Sequence, residues 1–165
     1  MANYNQVVDL LISHSQIQIQ IQIQIRARAY DEASSQWGKL NIDQGAVIHK
    51  DYVIFDPLPE DAFGANISLT LDTKFNLDTQ TQRCIVVPFF ISKRNELEVA
   101  SAAEKAKVVL DVEERQYALY YEVCEGDEIF YKFTLVPSND EFEAKYLMDD
   151  PWGGVKGQTL VKGVA

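Results

Sequence analysis

An all-β fold with one short helix, an antiparallel β-sandwich or a partly open barrel, is what this sequence predicts. Three observations lead there. Residues 17–25 read IQIQIQIQI, a strict period of two that suits a half-buried strand and not a helix. Further short runs alternate in the same way or are wholly apolar, and turn formers separate them. Only one pattern, Ser101-Ala-Ala-Glu104, marks a helix start, as a capping box.

In chain order, residues 7–13 form a short apolar lead-in that feeds the isoleucine–glutamine run. Isoleucine is stiff at χ1 and favours a pleated surface. The parity extends through Ala27 and Ala29 on the apolar face, and through Arg26, Arg28 and Tyr30 on the polar face. The result is a long strand, bent or bulged, with which others pair. A two-residue slip leaves its pattern almost unchanged, so its flanks must set the register. Residues 30–44 read as a loop or brief helix, and residues 45–55 as strand with a bend near His49, Lys50 and Asp51. DPLPEDAFG ends that strand, because its two prolines fix φ and remove donors. Ile67, Leu69 and Leu71 alternate with polar residues, and residues 76–82 read as a hairpin loop.

CIVVPFFI, residues 84–91, is too continuous to leave one face wet, and Pro88 places a bulge or an edge within it. A short helix follows from Ser101, and alternation resumes from Val108 to Val112. Tyr117, Leu119, Tyr121 and Val123 line one strand, and Ile129, Tyr131, Phe133 and Leu135 line the next. CEGDE between them makes the pair a hairpin. DDPWGG forms a turn, and residues 159–164 supply a last strand.

A chain of 165 residues fits one domain, residues 1–165, with a sizeable core. Its formal charge of −10 argues against nucleic acid as a direct ligand, since phosphates call for a surplus of Lys and Arg. No apolar run approaches the ~18 residues of a membrane span and no basic leader precedes one, so the expected location is cytoplasmic. Cys84 and Cys124 lie in apolar surroundings and read as buried thiols, with a disulfide left open.

Catalytic chemistry finds no support. His14 and His49 have no metal-ligand spacing to a second His or Cys, and no phosphate-binding glycine motif is present. Neither cysteine sits near basic residues at a helix start, so neither is activated. Asn66-Ile-Ser68 is a chance glycosylation match inside a strand. The protein is therefore read as no enzyme, with no cofactor and no metal site.

One asymmetry remains. Residues 125–150 hold eight acidic and two basic residues, a net −6 of the total −10. A solvated surface accounts for such a run, but so does a patch presented to a basic protein partner. The candidate contact residues are Asp140, Glu141, Glu143, Asp149 and Asp150, with Trp152 as an anchor. Asp149 and Asp150 also suit a turn before Pro151. A different reading is a small-molecule or glycan-binding sandwich, with Tyr117, Tyr120, Tyr121 and Tyr131 as an aromatic platform. Core packing explains those tyrosines more simply.

The segments RCIVVPFFIS and LEVASAAEKAKVVLDVEERQYALYYEVC resemble the competence protein ComJ family of bacterial DNA-entry nuclease inhibitors. The likeness lies in the apolar-Val-Pro-Phe strand at residues 86–89, the short helix, the Val-Leu-Asp strand and the Tyr-x-Leu strand at residues 117–123. DLLISHSQIQI and GAVIHKDYVIF fit the same layout, so the resemblance covers residues 9–136. The long isoleucine–glutamine run and DDPWGGVKG depart from it. The resemblance implies a non-catalytic protein that binds a DNA-degrading nuclease and inhibits it by occluding the active site. It assigns no role to individual residues.

Overall fold

The structure is a computed structural model; it describes residues 4–11, 23–28, 33, 36–56, 64–100, 105–126 and 128–163. Two sheets face each other. The first has six strands in the order β1-β5-β10-β9-β6-β11, where β1 is Asn5–Leu11, β5 Gly64–Leu71, β6 Thr81–Phe90, β9 Gln116–Glu125, β10 Ile129–Pro137 and β11 Lys145–Tyr146. The second has five in the order β3-β4-β2-β7-β8, where β2 is Ile23–Arg26, β3 Ala46–His49, β4 Tyr52–Phe55, β7 Glu98–Ala100 and β8 Lys105–Lys107. The described α-helix, α1, is Lys39–Gln44, and it ends on Gly45 in the left-handed region at φ +83°.

The all-β class and the two-sheet arrangement agree with the sequence. β9 and β10 form the anticipated hairpin, with Tyr131 opposite Val123, Phe133 opposite Tyr121 and Leu135 opposite Leu119. These side chains point into the space between the sheets. There Phe55 of β4 stacks on Tyr121 of β9 at 4.1 Å between ring centres, and Phe133 lies 5.8 Å from Phe55. Such offset aromatic pairs hold two layers in register as well as burying area. β3 and β4 pair across the Lys50–Asp51 turn, where the bend was expected.

The isoleucine–glutamine run reaches described residues only at its end, and residues 16–22 lie outside them. What is seen makes β2 the central strand of its sheet, paired with β4 and β7. Ile23, Ile25 and Ala27 are fully buried, as the parity requires. The opposite face is a correction, because Gln24 and Arg26 are buried as well. Gln24 Oε1 accepts from the Arg26 guanidinium and from the Tyr52 hydroxyl, and Arg26 Nε lies 2.7 Å from Glu98. A polar face becomes buriable when its donors and acceptors satisfy one another.

Several local expectations are corrected. β5 and β6 are not a hairpin, since β5 pairs with β1 and, in parallel, with β10, while β6 pairs with β9 and β11. The capping box at residues 101–104 lies outside the described residues, but residues 105–107 form a strand, β8, where a helix was expected. Val108, Leu110 and Val112 are buried and alternate with exposed neighbours, without a ladder of their own. Among the described residues, the anticipated last strand is reduced to two isolated bridges, Lys145–Thr159 and Ile48–Gly163. DPLPEDAFG falls largely on residues 57–63, outside the described set. β6 is buried on both faces from Cys84 to Val87 as expected, and Pro88 stands beyond the reach of β11 on that edge. The irregularity in β6 lies elsewhere, between Thr81 and Arg83.

The free edge of β1 is guarded by a side chain. Gln6 Nε2 donates to the Lys107 carbonyl at 2.9 Å, and its Oε1 accepts from the Val109 amide at 2.8 Å. One glutamine thus ties the edge of the first sheet to the chain leaving β8, as edge strands require.

Candidate partner-binding site

The acidic C-terminal segment is built onto the sandwich by its backbone. Leaving β10, Ser138 N donates to the Gln116 carbonyl at 3.2 Å, and Gln116 Nε2 donates to the Asp140 carbonyl at 3.0 Å. Asp140, Glu141 and Glu143 are exposed, while Ala144 between the segment and β11 is fully buried. The three carboxylates thus face water, while the backbone contacts and the buried Ala144 fix the main chain beneath them. The Leu160 amide donates to the Ala144 carbonyl at 2.8 Å, which pins the segment from its other side.

Glu141 and Glu143 border a cleft of about 550 Å³. Its other walls are the β3–β4 turn at His49 and Lys50 and the end of β6 at Pro88 to Phe90. Sequence reading placed none of these five with the acidic patch, because the signal is a contact between distant segments. His49 Nε2 is buried at this wall without a hydrogen-bond partner among the described residues.

Beyond β11 the chain makes the turn anticipated at DDPWGG. Asp149 is exposed, and its Oδ1 accepts from the Lys156 amide at 2.8 Å. Asp150 turns inward. Its side chain is fully buried and takes a forked contact from Arg83, Nε to Oδ2 at 2.7 Å and Nη2 to Oδ1 at 3.0 Å. Oδ1 also accepts from the amides of Trp152 and Gly154, each at 2.9 Å. A Cβ on Gly154 would lie 2.0 Å from Asp150 Oδ2, so only glycine fits there. Burial pushes the Asp150 pKa up, but the Arg83 fork and the two amides outweigh it and hold the carboxyl below its usual range. Arg83 Nη1 reaches the Gln44 carbonyl at 3.2 Å, and Gly45 leaves room for it, since a Cβ there would lie 2.5 Å from Nη1. Trp152 is half-buried against the core, its ring 5.8 Å from the Arg83 guanidinium carbon.

The candidates therefore divide by position. Asp140, Glu141, Glu143 and Asp149 present themselves to solvent, Trp152 in part, and Asp150 faces Arg83. Arg83 itself escaped sequence reading, where a lone arginine beside an apolar run carries no signal of its partner.

The aromatic platform is not formed. Tyr117, Tyr121 and Tyr131 are buried in the core, and Tyr120 stacks on Phe75 at 4.0 Å. Both cysteines are free and buried. Burial, reinforced by Glu122, pushes the Cys84 thiol far above its ordinary pKa, and burial pushes Cys124 up to about 11. His14 lies outside the described residues. Among the described residues no three His, Cys, Asp or Glu side chains are grouped to hold a metal, and no helix is long and apolar enough to cross a membrane.

The fold and its acid-rich end define an all-β sandwich that offers carboxylates on a built surface. Residues 9–136 match the family model described as Competence protein J (ComJ), and the chain belongs to that family. Its fold is similar to the crystal structure of ComJ, inhibitor of the DNA degrading activity of NucA, from Bacillus subtilis. The TM-score is 0.64 at 15% identity, over 84% of this chain and 99% of that one. No curated protein matches.

Proposed function

We propose that this protein binds a DNA-degrading nuclease and inhibits it by occluding the active site. The observation that carries the reading is membership in a family whose solved relative is described as an inhibitor of such an activity. The surface is compatible in charge. A nuclease must hold phosphates with basic groups, and Asp140, Glu141, Glu143 and Asp149 offer carboxylates in their place. In this reading Trp152 is the rim anchor, and Asp150 shapes the turn that carries Asp149.

The test is a plasmid-degradation assay with a NucA-type nuclease and increasing amounts of this protein. Degradation should fall to background near equimolar protein, and the two should co-elute from a sizing column. Full degradation at a large molar excess of this protein would refute the proposal.

A further inference from the structure

We propose that β1 is a self-association edge, at which two copies of this chain pair β1 against β1 antiparallel and the six-stranded sheet runs on into that of the second copy. The inference is independent of the nuclease reading. It starts from strand geometry. The Leu71 amide donates to the Tyr4 carbonyl at 2.7 Å, in the same register that sets Gln6 opposite Leu69 and Val8 opposite Ile67. An antiparallel ladder alternates bonded and open positions, so the even residues of β1 turn their amides and carbonyls to β5. Asn5, Val7 and Asp9 turn theirs outward, where no strand of the described residues pairs with them. Gln6 ties this edge to residues 107–109 through its side chain alone and leaves those backbone groups open.

The second observation is that the other edges are protected. Gly163 bridges to β3 at Ile48, and Thr159 bridges to β11 at Lys145. β8 presents Lys105 and Lys107, both exposed, and lysines blunt an edge. β1 carries no lysine. It carries apolar surface instead, since Val7 is 67% exposed, Tyr4 55%, and Val109, whose amide meets Gln6, 54%. Apolar surface gathered beside unpaired backbone marks an interaction surface.

The third observation selects a second copy as the occupant, because the strand is complementary to itself. With a two-fold axis at Val7, Val7 faces Val7 and Asn5 faces Asp9 on either side. Each of these pairs uses outward-facing backbone groups. Asn5 Oδ1 accepts from the Thr70 hydroxyl at 3.3 Å, which leaves Nδ2 to donate to the Asp9 carboxylate of the other copy. An axis at Val8 would set Val7 against Asp9, and an axis at Asp9 would oppose two carboxylates, which is unfavourable. A two-fold contact requires self-complementarity of this kind.

The experiment is sedimentation velocity of the full chain over a range of concentrations, joined to cysteine crosslinking. The parent should pass from monomer to dimer as concentration rises. Val7→Lys, folded by circular dichroism, should weaken the dimer about tenfold or more, since two ammonium groups then face each other across the axis. Val7→Cys should form a disulfide-linked dimer with oxidised glutathione, because a bonded antiparallel pair holds its Cα atoms ~5.5 Å apart, within disulfide reach. Leu77→Cys, also exposed but on the loop before β6, should crosslink far less, and the native Cys84 and Cys124 are buried. A mixture of Asn5→Cys and Asp9→Cys should crosslink more than either alone, which reads the register. A chain that stays monomeric, a dimer indifferent to Val7→Lys, or crosslinking no faster at position 7 than at position 77 each overturns the proposal. If Val7→Lys does not fold, the crosslinking decides.

Discussion

Arg83 and Asp150 join segments sixty-seven positions apart in a contact sealed from water. Removing one partner strands the other in the interior, and this governs the outcome more than the attraction itself. Arg83→Met should lower stability by about 3–5 kcal/mol in chemical denaturation. Adding Asp150→Asn to it should recover part of the loss, because no carboxylate is then left unpaired. The pH dependence has a definite sign. A carboxyl held below its usual range stabilises fully above pH ~4, and that contribution disappears as pH falls through the native value. Acid unfolding followed by circular dichroism should therefore be shallower below pH ~4 in Asp150→Asn than in the parent. The cysteines yield a second residue-scale outcome. With Cys124 at about 11 and Cys84 higher still, a thiol reagent at neutral pH should modify neither until guanidinium unfolds the chain.

β2 carries the test at the scale of the element. Ile25→Lys puts a charge between the sheets and should cost more than about 3 kcal/mol. Gln24→Lys should also be costly, by at least about 1 kcal/mol, because Gln24 is a buried acceptor for Arg26 and Tyr52. Denaturation of both variants decides the matter, and a neutral Gln24→Lys would mean that this face is open to solvent. The contrast marks what a sequence discloses about a strand. Period two assigned Ile23, Ile25 and Ala27 to the core unaided. It could not reveal that Glu98 and Tyr52 would cover the other face, since that depends on which strands become neighbours. The β9–β10 hairpin was legible for the converse reason, its partner lying only a turn away. β8 was misread because the helix signal at Ser101 is local, whereas pairing with β7 decides residues 105–107.

For the whole molecule, the charge distribution governs approach to a partner. Neutralising Asp140, Glu141, Glu143 and Asp149 together should slow association with a captured nuclease and flatten its salt dependence, with the fold unchanged. Trp152→Ala should act on dissociation instead. Stopped-flow kinetics at low and moderate salt would separate the two, and identical kinetics in the four-site variant would move the interface elsewhere. The acidic run was visible in the sequence as composition. Its division into exposed carboxylates and one inward-facing Asp150 was not, because only the folded chain brings Arg83 to that turn.

The parallel contact of β5 with β10 bears on how the protein is made. Residues 66–71 lie against residues 130–135, so roughly sixty residues must leave the ribosome before the strand gains its neighbour. Until then β1 and β5 form an antiparallel ribbon whose inner flank is unsatisfied, and a two-stranded ribbon alone is marginal in water. The β9–β10 hairpin, whose strands are joined by three residues, closes quickly once synthesised and can serve as the template on which the older strands dock. We predict that assembly runs against the order of synthesis. A nascent chain stalled before residue 130 should remain a substrate for chaperones, and release of residues 130–165 should trigger docking of the earlier strands.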